Sequence, residues 1–220
     1  FKMGGDGLKA GTEYDPDYNP DAIVPQSGHK LFNSLAFHNK SKGFDSNNAP
    51  NIKAYQSISF NNDGANISFS SYEQGNPHTD YELRNVISFR TQGTSTGDGV
   101  GTRGQQDMKK VNNSSTYYWD TSAKAAKNSD GKLIKASDFV SLEYASLDCV
   151  DKDYWRNEDG TINTHGFLQL KDGVWDGKPE DNPSMGGTPS EEVTPGEDTN
   201  GSTSSGNTGT GSEDLPDYGP

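Results

Sequence analysis

The sequence predicts an all-β fold, a right-handed parallel β-helix (a solenoid) with a C-terminal cap and a disordered tail. Three observations lead to this prediction. A short β-type motif recurs at offsets of 23, 29 and 28 residues, the turns between its copies are rich in Asn and Gly, and only 28% of the 220 residues are hydrophobic. Such a low apolar content suits stacked short strands, because each layer of a solenoid buries only a small area.

The repeated motif has seven residues, with an apolar residue first, an amide third and an aromatic residue last. Its copies occupy residues 31–37, 54–60 and 83–89, with a weaker fourth copy at 111–117. Because each copy is too short to bury its own apolar face, the copies must stack with equivalent positions above one another. Stacking predicts an apolar ladder of Leu31, Ala54, Leu83 and Val111, an amide ladder of Asn33, Gln56, Asn85 and Asn113, and an aromatic ladder of Phe37, Phe60, Phe89 and Tyr117.

A second short strand is predicted in each coil, at residues 42–45 and 66–69. We expect residues 1–3 to be the same element one coil earlier, because Phe1-Lys2 matches Phe44-Asp45. An insertion rich in Asp, Pro and Tyr lies between them, roughly from Asp6 to Gly28. Long excursions from one corner of a coil usually build a binding surface.

The repeat fades near residue 122, which divides the chain into three predicted parts. Residues 1–121 form the last coils of the β-helix, and residues 122–178 form a cap that packs on its end. Within the cap we expect a short capped helical turn at 136–142, a turn at 157–160 and a short strand or helical turn at 164–170. Residues 179–220 are Gly, Ser, Thr, Pro and acidic residues, which predicts a disordered linker that a further domain can follow.

Charge and cysteine content exclude several classes of protein. The net charge is −13, and nine of the acidic residues follow Lys178 without any Lys or Arg, so the body carries about −4 and no basic patch for nucleic acid. Cys149 is the single cysteine, which rules out an intrachain disulfide. The sequence contains no run of about 18 apolar residues, so no membrane-spanning helix is predicted. The four histidines are isolated, so no metal site is predicted within this chain.

Two related segments are informative because they occur in order along consecutive predicted coils. They are Phe1-Lys2-Met3-Gly4-Gly5, and then Ala36-Phe37, Asn39, Lys42-Gly43-Phe44-Asp45 and Asn47-Asn48. They resemble the Gly-Phe-Lys-(Leu/Met)-Gly-Gly and Ala-Phe-x-Asn-x-x-Lys-Gly-Phe-Asp-x-Asn-Asn segments of the pectate lyases of polysaccharide lyase family 9. Residues 66–69, 136–142 and 166–170 are also similar to that family, so the resemblance covers about residues 1–172.

The resemblance implies a secreted or cell-surface bacterial enzyme, monomeric, that cleaves pectate (polygalacturonate) by calcium-assisted β-elimination. Lys2 matches the family's catalytic base, which must be neutral to remove the C5 proton. The residues expected to contact substrate are Lys42, Asp45, Asn47 and Asn48. The Ca²⁺ ligands are expected in coils N-terminal to this chain, so we expect a C-terminal fragment that is inactive alone.

Other interpretations of the same residues stay open. Lys2 could be a solvated lysine, and residues 42–48 could be turn and ladder residues of the solenoid. The protein could then be a non-catalytic β-helix, either a surface adhesin or a carbohydrate-binding protein. A β-helix glycoside hydrolase would need two carboxylates across the scissile bond, for which Asp6 and Asp45 are the candidates. Only a lyase releases a 4,5-unsaturated, ultraviolet-absorbing uronide.

Overall fold

The computed structural model describes residues 5–10, 28–71, 81–91, 96–102, 115–144, 154–177 and 181–184. These segments are all-β, with eleven short strands and one turn of 3-10 helix at Ala136–Asp138. The strands are β1 (Leu8–Lys9), β2 (Lys30–Phe32), β3 (Leu35–Phe37), β4 (Phe44–Asp45), β5 (Lys53–Phe60), β6 (Ile67–Ser71), β7 (Glu82–Phe89), β8 (Gly99–Thr102), β9 (Tyr118–Asp120), β10 (Ala125–Lys127) and β11 (Leu133–Ile134). None of these residues forms a helix long and apolar enough to cross a membrane.

Two parallel sheets are built by a chain that passes alternately from one to the other. The first sheet has the order β1-β4-β6-β8, and in the second sheet β2 and β3 both pair with β5, which pairs with β7. Each strand therefore lies beside the strand that follows it one repeat later in the chain. This arrangement is compatible with the stacked coils of a parallel β-helix. A third, antiparallel sheet contains β9, β10 and β11.

The register of the second sheet confirms the ladders through three copies of the motif. Leu31 pairs with Ala54 and Ala54 with Leu83, while Phe37 pairs with Phe60 and Phe60 with Phe89. The rings of Phe60 and Phe89 stack with centroids 6.4 Å apart.

The fourth copy lies two residues away from its predicted register. Tyr117 pairs with Ile87 rather than with Phe89, and the ring of Trp119 lies 6.1 Å from that of Phe89. A shift of two residues keeps the same side chains facing the same way, so the pattern of apolar residues does not distinguish the two registers. Val111 and Asn113 lie outside the described residues, and the backbone amide of Asn85 donates to Ser115 Oγ.

The three described residues of the amide ladder share an unusual backbone conformation. Asn33, Gln56 and Asn85 have φ of 44°, 45° and 53°, which lies in the left-handed region. Asn tolerates this region better than most residues, because its short polar side chain adds little steric strain there. The amide column is thus a line of bends that runs across the second sheet.

The bends change which face of the strand is apolar. In β7, Leu83 and Val86 belong to the core between the two parallel sheets, whereas Ile87 and Phe89 belong to a second core. An unbroken strand would send residues 83, 87 and 89 to one side, since its side chains alternate. The left-handed residue at position 85 interrupts the alternation, so one strand supplies two cores.

The second core lies between the second sheet and residues 117–144 and 155–175. The ring of Phe167 lies 5.4 Å from Phe37 and 5.5 Å from Phe60, and the ring of Phe139 lies 4.6 Å from Phe89. The Arg156 guanidinium also donates to the carbonyl of Asn33. The segment predicted to be an end cap therefore contacts three successive copies of the motif along the side of the sheet.

Two local predictions within this segment are confirmed. The 3-10 turn at Ala136–Asp138 is capped by the Asp138 carboxylate, which accepts the backbone amide of Lys135 at 2.8 Å. A tight turn forms at residues 157–160, where the amide of Gly160 donates to the carbonyl of Asn157 at 2.9 Å. Residues 164–170 are turns joined to 139 and 141 by isolated bridges.

The predicted linker is described only at residues 181–184. Asn182 and Ser184 are buried there, and Ser184 Oγ accepts the backbone amide of Leu170 at 3.0 Å. Packing against the body thus continues as far as Ser184.

Candidate functional site

Four charged residues meet at the start of the first sheet, where β1 lies beside β4. They are Asp6, Lys9, Lys42 and Asp45, which we call the charged quartet. Leu8 pairs with Phe44 and Lys9 with Asp45. Because Leu8 and Phe44 enter the inner core, strand alternation directs Lys9 and Asp45 to the outer face.

Backbone hydrogen bonds hold these two strands in one register. The amides of Gly7 and Leu8 donate to the carbonyls of Lys42 and Gly43 at 2.9 and 2.8 Å, and the amide of Ala10 donates to the carbonyl of Asp45 at 2.8 Å. The lysine that follows Leu8 is therefore positioned by its backbone.

Glycine is required immediately before the inward residue of each strand. A Cβ on Gly43 would lie 2.0 Å from Ser59 Oγ and 2.6 Å from the carbonyl oxygen of Asn66. A Cβ on Gly7 would lie 2.5 Å from Asn39 Nδ2. These distances leave no room for a side chain, so a glycine followed by an apolar residue marks where each of these two strands begins.

The charges of the quartet are arranged in two layers. Lys42 Nζ lies 2.9 Å from Asp45 Oδ1, and Lys9 Nζ lies 3.6 Å from Asp6 Oδ2. The other oxygen of Asp6 accepts the backbone amide of Lys42 at 2.9 Å. The lysine side chains are 52% (Lys9) and 37% (Lys42) exposed, whereas the carboxylates are 12% (Asp6) and 4% (Asp45) exposed. The acids thus lie beneath the ammonium groups.

The environment of Asp6 bears on the hydrolase interpretation. Burial raises the pKa of its carboxyl, but hydrogen bonds from Ser41 and from the Lys42 amide, with the charges of Lys42 and Lys9, more than offset this and hold the pKa below its ordinary value. A glycoside hydrolase needs one carboxyl with a raised pKa as general acid. Asp6 does not suit that role, and Asp45 is held in the ion pair with Lys42.

Asn47 and Asn48 form the turn that follows β4. Their φ angles are 50° and 64°, and the amide of Ala49 donates to the carbonyl of Ser46 at 3.0 Å across the turn. Two central residues with positive φ are favoured when both are Asn or Gly, so the turn itself explains this residue choice. The four residues expected to contact substrate therefore lie just before β4 (Lys42), on β4 (Asp45) and in the turn that leaves it (Asn47 and Asn48).

The structure corrects the predicted match at the N-terminus. The strand that pairs with Phe44-Asp45 is Leu8-Lys9 and not Phe1-Lys2. Gly7-Leu8 reproduces the close approach of Gly43-Phe44, and that glycine was the signal in the sequence that could have identified the strand. Lys2 lies outside the described residues, and Lys9 is the member of the quartet that no sequence motif indicated.

The correction also moves the start of the predicted insertion. Residues 7–10 pair with residues 42–45 in the first sheet, so they do not belong to the insertion that was predicted to begin near Asp6. Most of it, residues 11–27, lies outside the described residues.

The described residues do not fit a calcium site. Across the described ranges, no group of three or more His, Cys, Asp or Glu side chains could hold a metal ion. The two acids of the quartet face lysines, whose positive charge opposes the binding of a cation.

Comparison with known proteins finds three relatives named pectate lyase L. The chain is 30% identical to that of Thermoclostridium stercorarium over 107 residues, 32% identical to that of Dickeya chrysanthemi over 144 residues, and 29% identical to that of Paenibacillus polymyxa (strain SC2) over 174 residues. These alignments cover 49%, 64% and 79% of this chain, but only 7%, 26% and 29% of the relatives.

No family model matches the chain, and no solved structure matches it. The three likenesses relate the chain to pectate lyases, and the chain spans less than a third of the length of each relative that it matches.

Proposed function

We propose that this chain is part of a polysaccharide lyase that cleaves pectate by calcium-assisted β-elimination, and that its two parallel sheets are coils of a right-handed parallel β-helix of the family 9 type. The observation that carries the proposal is the Lys-Gly-Phe-Asp segment of residues 42–45, whose strand β4 pairs with the Gly-apolar-charged segment at β1, in a chain similar to three proteins named pectate lyase L. We propose that the Ca²⁺ ligands belong to residues outside this chain.

The base of the proposed reaction is Lys2, on the strength of the Phe-Lys-Met-Gly-Gly motif. β-Elimination at C4 of a uronide requires removal of the C5 proton, and a neutral lysine amine can accept it. Lys2 precedes Gly5 by three residues, so the covalent chain keeps their Cα atoms within about 11 Å of each other. Gly5 lies beside the strand of the quartet, because its carbonyl accepts the amide of Ser41 at 3.2 Å.

The proposed substrate contacts are the exposed ammonium of Lys42, the carboxylate of Asp45, and the side chains of Asn47 and Asn48. The Lys42 ammonium can bind a uronate carboxylate, while amide groups can donate to and accept from sugar hydroxyls. We propose an extracellular or cell-surface bacterial protein, which acts as a monomer and can carry a further domain after its acidic tail.

The test is a lyase assay on a longer protein that contains this chain together with the missing part of its relatives' length. Lys2→Ala should lower turnover on polygalacturonate by about 10²- to 10⁴-fold, the range typical of a lost general base, with little change in substrate affinity. Release of the 4,5-unsaturated product, followed by ultraviolet absorbance, measures this directly.

Several controls accompany that assay. Lys30→Ala, at an exposed lysine on the second sheet, should leave turnover unchanged. Lys2→Arg should stay inactive, because a guanidinium does not accept the proton. Activity of the unmutated enzyme should rise toward alkaline pH and disappear with a calcium chelator. Near-normal turnover of Lys2→Ala would refute the assigned base, and pectate binding without any product would favour the non-catalytic alternative.

A further inference from the structure

We propose that Lys9 and Lys42 together form a binding subsite for the carboxylate of one uronic-acid unit, in which Lys9 selects free carboxylates over methyl esters. This inference rests on the proposed function for the identity of the ligand. It assigns a role to Lys9, a residue that lies outside the motifs that pointed to pectate.

The first argument is position. Lys9 occupies the outward position of β1, directly opposite Asp45 on β4, and Lys42 forms its ion pair with that same Asp45. Adjacent strands of a sheet lie about 4.8 Å apart, so the two lysines emerge from neighbouring coils at one edge of the first sheet. Lys42 Nζ lies 2.9 Å from Asp45, the residue opposite Lys9, so the two ammonium groups are placed to contact one carboxylate or two successive carboxylates of a bound chain.

The second argument is the layering of the charges. Among the four side chains, those that solvent reaches most are the two lysines, whereas the carboxylates are 12% and 4% exposed. An incoming ligand therefore meets ammonium groups first. The ion pairs with these less exposed acids restrain the lysine side chains, which lowers the entropy that the lysines would lose when they bind.

The third argument concerns the net charge of the quartet and the range of its electrostatic field. The quartet is neutral in sum, so its field at long distance is weak and its selectivity must come from direct contact. A charged hydrogen bond from an ammonium to a carboxylate is stronger than one to a neutral ester oxygen. The subsite should therefore distinguish galacturonate from its methyl ester by contact rather than by electrostatic steering.

The experiment measures binding, so that it does not depend on catalysis. Oligogalacturonate and its fully methyl-esterified form are titrated into the 220-residue chain at low and high salt. Lys9→Gln should raise the Kd for oligogalacturonate by about 5- to 10-fold, the range expected for one partly exposed charged contact, and should weaken its salt dependence. Lys9→Arg should retain most of the affinity, because it keeps the charge.

Lys40→Gln is the matched control, since Lys40 also pairs with an aspartate at 3.0 Å but on an exposed turn where both partners are 59% accessible. It should bind as the original chain does. Binding of Lys9→Gln that equals that of the original chain would overturn the inference, as would equal binding of the esterified ligand or no binding of oligogalacturonate at millimolar concentration.

The outcome is separable from that of the lyase assay. A longer protein that cleaves pectate equally well with Lys9→Gln and with Lys9 would refute the subsite and leave the proposed reaction standing. An inactive longer protein whose oligogalacturonate binding depends on Lys9 would refute the reaction and retain the subsite.

Discussion

Asp98 shows how one half-buried aspartate joins the parallel sheets to the C-terminal segment. Its two oxygens accept the backbone amides of Ile67, in the first sheet, and of Trp119, in the antiparallel sheet, at 2.9 and 2.8 Å. Burial raises the pKa of Asp98 above its ordinary value, although hydrogen bonds from Ser88 and from both amides and the charge of Arg90 act in the opposite direction.

This environment predicts a pH-dependent effect of Asp98→Asn. Because the folded-state pKa is raised above the unfolded value of about 3.9, the stabilisation linked to the Asp98 proton is complete below that pH and is lost as pH rises through the folded-state pKa. The variant does not titrate, and its amide nitrogen faces one backbone N–H, which costs about 1–3 kcal/mol. We expect this penalty to be largest below the unfolded-state pKa and to shrink as pH rises through the folded-state pKa.

Urea unfolding of both proteins across this pH range checks the prediction. Asp63→Asn, at a 59% exposed aspartate, is the control for the loss of a carboxylate outside this site. A penalty for Asp98→Asn that stays constant or increases with pH would contradict a raised folded-state pKa for Asp98.

At the scale of single elements, the aromatic ladder of the second sheet is covered by the C-terminal segment. Phe167 is 2% exposed and its ring lies between 5.4 and 6.1 Å from the rings of Phe37, Phe60, Tyr144 and Trp155. Aromatic pairs in this range add about 0.5–1.5 kcal/mol each beyond the area they bury. Phe167 therefore contributes strongly to holding the segment on the sheet.

Phe167→Ala should lower the free energy of unfolding by about 3–5 kcal/mol, as expected when a buried ring leaves a cavity. Phe167→Leu keeps most of the volume and should cost less than half as much. Chemical denaturation followed by tryptophan fluorescence measures both, since Trp155 is one of the contacts. Equal stability of Phe167→Ala and the unmutated chain would mean that the segment is held mainly by other contacts.

The strands of the second sheet also show which structural features the seven-residue motif predicts and which it does not. The seven-residue motif predicted the register of β5 and β7, because apolar and aromatic positions had to stack on their equivalents. It did not predict that Gln56 and Asn85 adopt left-handed backbone and divide each strand between two cores. A pattern of apolar and polar residues assumes that side chains alternate between the two faces of a strand without interruption. A single residue with left-handed backbone breaks this alternation.

At the scale of the whole molecule, the acidic tail and the body meet near Ser184. The composition of residues 185–220 predicts a segment that buries little apolar surface, and residue 184 packs on Leu170. The boundary between the folded body and the tail can therefore be tested by two truncations.

A chain that ends at Ser184 should unfold at the same temperature as the full chain. A chain that ends at Gly177 loses the Ser184 hydroxyl that accepts the buried Leu170 amide, which should cost about 1–3 kcal/mol. Thermal unfolding of the three proteins decides between these cases. A large loss of stability on removal of residues 185–220 alone would show that the tail packs on the body.

Local patterns along the chain were sufficient to predict the all-β class, the ladders of three repeat copies, the strands at residues 42–45 and 66–69, and the turns at 136–142 and 157–160. Stacked copies must carry similar residues at equivalent positions, and turns and caps depend on neighbours a few residues away. Both features can therefore be recognised from short stretches of sequence.

Long-range packing alone selects Leu8-Lys9 rather than Phe1-Lys2 as the partner of Phe44-Asp45, and shifts the fourth copy by two residues. Apolar patterns are equally satisfied by either register, and the choice depends on contacts such as the hydrogen bond from the Gly7 amide to the carbonyl of Lys42. The quartet arises from the same choice, because it joins residues that are more than 30 positions apart in the chain.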